Sequence, residues 1–128
     1  MTMQADPLLA RGLAARYGRA DREICQLLKL MAEVPAAVGK KTLFGADKHE
    51  VAIKAFIKQL FKTCGALVEM KQLNAASTKA ASLSALNSIL ASYRLAYAGN
   101  DAAFGVWDKF FTYQLTVEPD KPWLLGAG

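Results

Sequence analysis

The stretch from His49 to Met70, HEVAIKAFIKQLFKTCGALVEM, constrains this chain more than any other. Its apolar residues recur at helical spacing: Ile53, Phe56, Ile57, Leu60, Cys64, Leu67 and Val68 share one face. Lys54, Lys58 and Lys62 share another, each four residues from the next. A helix divided in this way must bury the first face against other elements, and it turns the second toward water or toward something negative.

One further core is needed to cover that helix, and 128 residues with 53% hydrophobic content are enough to close one. Cys25 and Cys64 are too few for a disulfide scaffold. They read as free thiols in a reducing compartment, so a cytoplasmic location is expected. No apolar run approaches the roughly 18 residues that a spanning helix needs. The start, MTMQADPLL, lacks a basic region followed by an apolar core, so secretion is not expected.

The net charge of +5 is unevenly placed: residues 1–62 hold eleven Lys or Arg against six Asp or Glu, and residues 63–128 hold five of each. A one-sided basic surface attracts polyanions through its summed field, although ordinary solubility charge produces the same total.

Along the chain, Asp6-Pro7 reads as a helix start, because Asp caps the free amides and Pro at the first helical position forfeits no bond. The helix continues to Val34 with Ile24, Leu27, Leu28 and Met31 as its stripe, and Pro35 is expected to end it. Gly12 and Gly18 weaken its first part, so a break near Gly18 with Asp21 capping a second segment is one option. Arg11, Arg16, Arg19 and Arg22 make this region basic; a presequence and a membrane-surface helix over residues 7–22 are the minor alternatives to a solvated face.

Residues 35–48 form a linker with Gly39, Gly45, Lys40, Lys41 and Lys48, after which Asp47 fits the cap of the central helix. Gly39-Lys40-Lys41-Thr42 is not a phosphate-binding loop, because Val34 stands where its first Gly belongs and Lys41 where its Ser or Thr belongs. Asn74 or Ser77 is expected to cap the next helix, whose seam is Leu83, Leu86, Leu90, Tyr93 and Tyr97 and whose C-terminal cap is Gly99. The tyrosines read as core in preference to base-stacking platforms. Asn100-Asp101 caps a last helix in which Phe104, Trp107 and Phe111 point inward while Val106, Phe110 and Tyr113 fall on other faces.

Chemistry is sparse. His49 is the only histidine, at a helix start, and reads as a capping or solvent residue. Cys25 has Arg22 and Lys29 within one turn, an arrangement that lowers a thiol pKa, whereas Cys64 lies on the core stripe. The acids Asp101, Asp108, Glu118 and Asp120 form no recognisable pair for acid–base work. No enzyme activity, metal site or cofactor is expected.

The helical architecture resembles two kinds of accessory subunit. Val34-Pro35, the Leu43-Phe44-Gly45 linker and Leu90 to Ala96 are similar to the accessory variability protein of diversity-generating retroelements. Asp101 to Tyr113, an acidic cap before an aromatic helix, resembles the small helical subunit of CRISPR effector complexes. The retroelement family's Gly-Trp ending is absent, and Trp107 and Trp123 sit in other contexts. Either resemblance implies a basic helical bundle working beside nucleic acid in an assembly.

The expected fold is all-α, a bundle of four main helices with the first open to a break near Gly18, as one domain over 1–118 and an apolar tail over 119–128. The expected core is Ile24, Leu27, Leu28, Met31, Ile53, Phe56, Ile57, Leu60, Leu67, Leu83, Leu86, Leu90, Phe104, Trp107 and Phe111. The expected function is non-catalytic: a basic subunit holding the backbone of RNA or single-stranded DNA within a larger nucleoprotein assembly. Lys54, Lys58 and Lys62 form the contact row, extended by Arg16, Arg19, Arg22, Lys40 and Lys41. The alternative is a protein–protein adaptor or structural subunit whose surface is Phe110, Tyr113, Trp123, Leu124 and Leu125. Partners are then nucleic acid and other subunits or copies of this chain, with no membrane among them.

Overall fold

Gly18 divides the first helical region because its φ of +52° leaves the helical range for a conformation that side chains rarely tolerate. A Cβ there would lie 2.6 Å from the Met70 methyl carbon, the flexible end of that side chain. The computed structural model describes residues 4–98 and 101–125. In chain order its elements are β1 (Gln4–Ala5), α1 (Pro7–Tyr17), α2 (Ala20–Ala36), α3 (Lys48–Glu69), α4 (Lys79–Ala96), β2 (Tyr97–Ala98) and α5 (Asp101–Thr116). The all-α class therefore stands, with five helices among the described residues, because the first of the four expected is divided at Gly18 into α1 and α2.

Asp6 caps α1 as its sequence indicates, its carboxylate accepting from the amides of Leu8 at 3.1 Å and Leu9 at 3.3 Å. The β1 and β2 strands pair antiparallel, Gln4 opposite Ala98 and Ala5 opposite Tyr97, and tie the start of the chain to the end of α4. Asp21 does not cap α2. It lies in the first turn, and its carboxylate accepts the Tyr93 hydroxyl at 2.6 Å. Gly99, the expected C-terminal cap of α4, and Asn100, half of the expected Asn100-Asp101 cap of α5, lie outside the described residues.

Pro35 does not stop α2 but sits in its last turn. Proline has no N–H, so the Met31 carbonyl one turn earlier loses its helical donor. The buried Trp107 indole N–H on α5 donates to that carbonyl instead, at 2.6 Å. One chain defect thus becomes the hydrogen bond that locks α5 to α2. Phe56 of α3 packs on the same indole, the two ring centroids 4.3 Å apart.

The helices α2 and α3 run antiparallel as the principal pair. Near one end Gln59 Nε2 and Thr63 Oγ1 both donate to the Glu23 carbonyl at 3.1 Å, and near the other His49 Nδ1 lies 3.0 Å from the Val34 carbonyl. Asp47 caps α3, accepting from the His49 amide at 2.9 Å. The buried face of α3 is rotated from the one expected. Gln59 and Thr63 are buried, whereas Ile57 is 47% exposed and Ile53 half-buried. The polar pair is tolerated inside because both side chains have partners on α2.

Thr78 caps α4 in place of Asn74 or Ser77, its hydroxyl accepting from the Ala81 amide at 3.2 Å. Asn74 closes a turn before it, accepting from the Ala76 amide. The remaining free amides at this end of α4 are met by the chain beyond α5. Lys79 N–H donates to the Lys121 carbonyl at 2.7 Å, and Ala80 N–H to the Pro119 carbonyl at 3.0 Å. The tail folds back as the lid of its own helix.

A double-mutant cycle tests the Pro35 account. Trp107→Phe should lower stability by about 1–3 kcal/mol in urea unfolding, because a buried carbonyl loses its donor. In a Pro35→Ala background the restored N–H at position 35 can reach the Met31 carbonyl, so the same change should cost less. Equal costs in both backgrounds would mean that the bond contributes nothing.

Candidate nucleic-acid interface

The buried side of α3 fixes where its lysines go. Because Phe56, Leu60, Cys64 and Leu67 are in the core, Lys54, Lys58 and Lys62 are all held on the outer surface. With a rise of about 1.5 Å per residue, their stems repeat about every 6 Å on a rigid element. Lys54 lies 3.3 Å from Glu50 one turn earlier, and Lys62 lies 3.8 Å from Glu23 of α2. Lys58 has no ion-pair partner among the described residues. It borders an open depression with Lys62, Glu23 and Glu69, floored by Phe61, Val68 and Leu124.

The other cations are spread over α1, α2 and the connection to α3 instead of closing into one patch. Arg19 reaches the far end of α3, 3.3 Å from Glu69. Arg22 is exposed on α2, and Arg16 on α1 lies over the Tyr17 ring, 5.4 Å from its centroid. Lys40 and Lys41 sit at the opposite end from Arg19, on the connection between the two helices. Three of the eight expected contact residues thus face carboxylates, and the edge they form is mixed in charge.

The connection itself carries what the sequence pattern did not disclose. Lys41 and Asp47 form an antiparallel bridge, and Lys48 N–H donates to the Lys40 carbonyl at 3.0 Å. The turn closes through Thr42 N–H to the Ala46 carbonyl at 2.8 Å and Gly45 N–H to the Thr42 carbonyl at 3.0 Å. Ala46 N–H adds a bond to Thr42 Oγ1 at 3.0 Å, and Gly45 takes φ +82°. A tight turn followed by a left-handed glycine is a standard hairpin end. At its tip stand Leu43, 94% exposed, and Phe44, 95% exposed. The only hint in the chain is an apolar pair between Thr42 and Gly45 that continues no periodicity.

The residues proposed for partner binding divide. Leu124 is buried in the protein's own core, and Trp123 packs against Phe61 with ring centroids 5.3 Å apart. Phe110 is half-buried, edge-on to Phe56 and Trp107. These three are therefore committed within the chain, and only Tyr113 and Leu125 are left exposed.

Tyr93 is core and Tyr97 is half-buried against it, the rings stacked 6.1 Å apart with Tyr93 bonded to Asp21. Burial raises the Tyr93 hydroxyl pKa and pushes that of Tyr97 up to about 12. Burial also raises the Cys25 thiol, outweighing the lowering from the Tyr97 hydrogen bond and from Lys29, so the neighbouring cations do not activate it. Cys64 is pushed up to about 12 by burial. Among the described residues, no group of three or more His, Cys, Asp or Glu side chains is placed to hold a metal ion. No helix there is long and apolar enough to cross a membrane. No family model, curated protein or solved structure matches the chain.

Two measurements follow from these placements. Leu124→Ala should destabilise the fold by about 2–5 kcal/mol, as for other buried leucines, without changing assembly size; an altered assembly at unchanged stability would contradict the docked tail. Both thiols should be protected in the native state. An aromatic disulfide reagent near pH 8 should react with neither Cys25 nor Cys64 at the rate of a free thiol, and with both once the chain is unfolded. The raised thiol and phenol values also fix a sign. The stability these groups contribute is whole below about pH 9, where they are neutral folded or unfolded, and is lost as pH climbs toward 12.

Proposed function

We propose that this protein is a non-catalytic basic subunit that binds the backbone of RNA or single-stranded DNA along the α2–α3 edge, within a larger nucleoprotein assembly. One observation carries the reading: Lys54, Lys58 and Lys62 stand in a fixed, exposed row on a helix whose opposite face is buried. Their spacing is close to that of phosphates on an extended strand. Lys40 and Lys41, on the connection at one end of the pair, and the exposed Arg22 on α2 add positive charge with no ion-pair partner among the described residues. The carboxylates near Lys54, Lys62 and Arg19 do not remove it from play, because exposed pairs of this kind are worth about 0–1 kcal/mol and phosphate oxygens compete with them. Contacts to backbone give affinity and position without reading sequence.

The resemblance to accessory subunits adds the expectation that other protein chains, or further copies of this one, complete the assembly. The adaptor reading retains one support, the exposed Val106 and Tyr113 on α5.

Affinity for a single-stranded oligonucleotide, followed by fluorescence anisotropy, should fall with salt at a log–log slope of about −0.7 per phosphate contact. Lys54→Glu combined with Lys58→Glu should weaken it about tenfold or more, since each change removes a cation and installs a repelling charge. Binding that ignores salt and both substitutions would contradict the proposal, and loss of partner capture on Tyr113→Ala alone would favour the adaptor.

A further inference from the structure

The tip of the α2–α3 connection is used neither by the core nor by the lysine row. Leu43 and Phe44 are almost wholly exposed, and the hydrogen bonds that close Thr42 to Ala46 hold them out on a defined turn. Val38 and Val51, at the two roots of the same connection, are also exposed. Around this apolar tip stand Lys40, Lys41 and Lys48, none with an ion-pair partner among the described residues. Asp47, the only carboxylate between Lys40 and Lys48, is engaged on the His49 amide as the cap of α3.

An occupant of this site must be apolar at its centre and negative at its rim. A nucleic-acid strand offers a base to stack on Phe44 but nothing for Leu43 beside it. An anionic bilayer accepts both side chains at the boundary of headgroup and acyl chain, while its phosphates and carboxylates meet the lysines. We propose that the Thr42–Gly45 turn is a membrane-surface anchor for bilayers containing anionic phospholipid. Leu43 and Phe44 insert, and Lys40, Lys41 and Lys48 hold the headgroups. The anchor is shallow, so binding is reversible and needs both components. It stands apart from the lysine row of α3, although Lys40 and Lys41 border both surfaces. It also revises the expectation of no membrane partner, which weighed a spanning helix and a surface helix over residues 7–22.

The test is vesicle flotation with the full chain, using phosphatidylcholine vesicles with and without about 30% phosphatidylserine. The wild type should float with the anionic vesicles and about tenfold less with neutral ones. Leu43→Ser with Phe44→Ser should abolish flotation while leaving helical circular dichroism and oligonucleotide affinity unchanged, since neither side chain is buried. As a second readout, Phe44→Trp should shift its emission to the blue on anionic vesicles and be quenched by brominated lipid, over the background of Trp107 and Trp123. The proposal is overturned by any of three results: no flotation of the wild type, flotation indifferent to the double substitution or to anionic lipid, or a double substitution that weakens oligonucleotide binding alone. Loss of oligonucleotide binding on Lys54→Glu with Lys58→Glu, with flotation retained, would separate the anchor from the lysine row and support it.

Discussion

The carbonyl of Met31 is the point on which the arrangement turns. Pro35 leaves it without a helical donor, and a buried carbonyl without a donor is costly. Trp107 supplies the missing N–H from α5, so the side chain that fills the space between α2, α3 and α5 also satisfies the backbone there. A helix packed only by apolar contact can slide or rotate against its neighbour. A helix pinned by a single directional bond at 2.6 Å keeps its register. The same logic recurs at Glu23, whose carbonyl takes both Gln59 and Thr63, and at the start of α4, whose free amides are met by Lys121 and Pro119. In each case a backbone group and a distant residue settle one another's hydrogen bonding.

These pins make the α2–α3 pair a rigid platform. The lysines of α3 therefore project from a surface whose shape does not depend on a ligand, which lowers the ordering cost of binding. The ends of the platform differ. At one, Arg19 and Glu69 give mixed charge. At the other, a short hairpin holds lysines and an apolar tip beyond the helices. On the reading proposed here, the edge meets a polyanion and the tip meets a surface that is both anionic and apolar.

Much of this was legible in the chain. Asp6-Pro7 and Asp47 mark helix starts because capping is local chemistry, decided by residues two or three apart. The stripe of Ile24, Leu27, Leu28 and Met31 is buried as its spacing requires. What could not be read depends on partners far away in sequence. Gln59 and Thr63 look polar and exposed until the Glu23 carbonyl is placed beside them, and Ile57 is displaced outward as a result. Asp21 looks like a cap until Tyr93 takes its carboxylate. The apolar tail fits its own bundle and a neighbouring protein equally well until Lys79 and Ala80 present it with free amides. Leu43 and Phe44 belong to no periodic pattern, so their exposure was invisible to a reading built on periodicity.

The reading of the α2–α3 edge as the binding surface is tested most directly by an amide chemical-shift map of the labelled protein during titration with a short single-stranded oligonucleotide. The account predicts perturbations running along the exposed face of α3 from Lys48 to Lys62, while the amides of Tyr93 and Tyr97 stay in place. Shifts centred on Tyr113 and the outer face of α5, or no shifts at a saturating concentration in low salt, would contradict it.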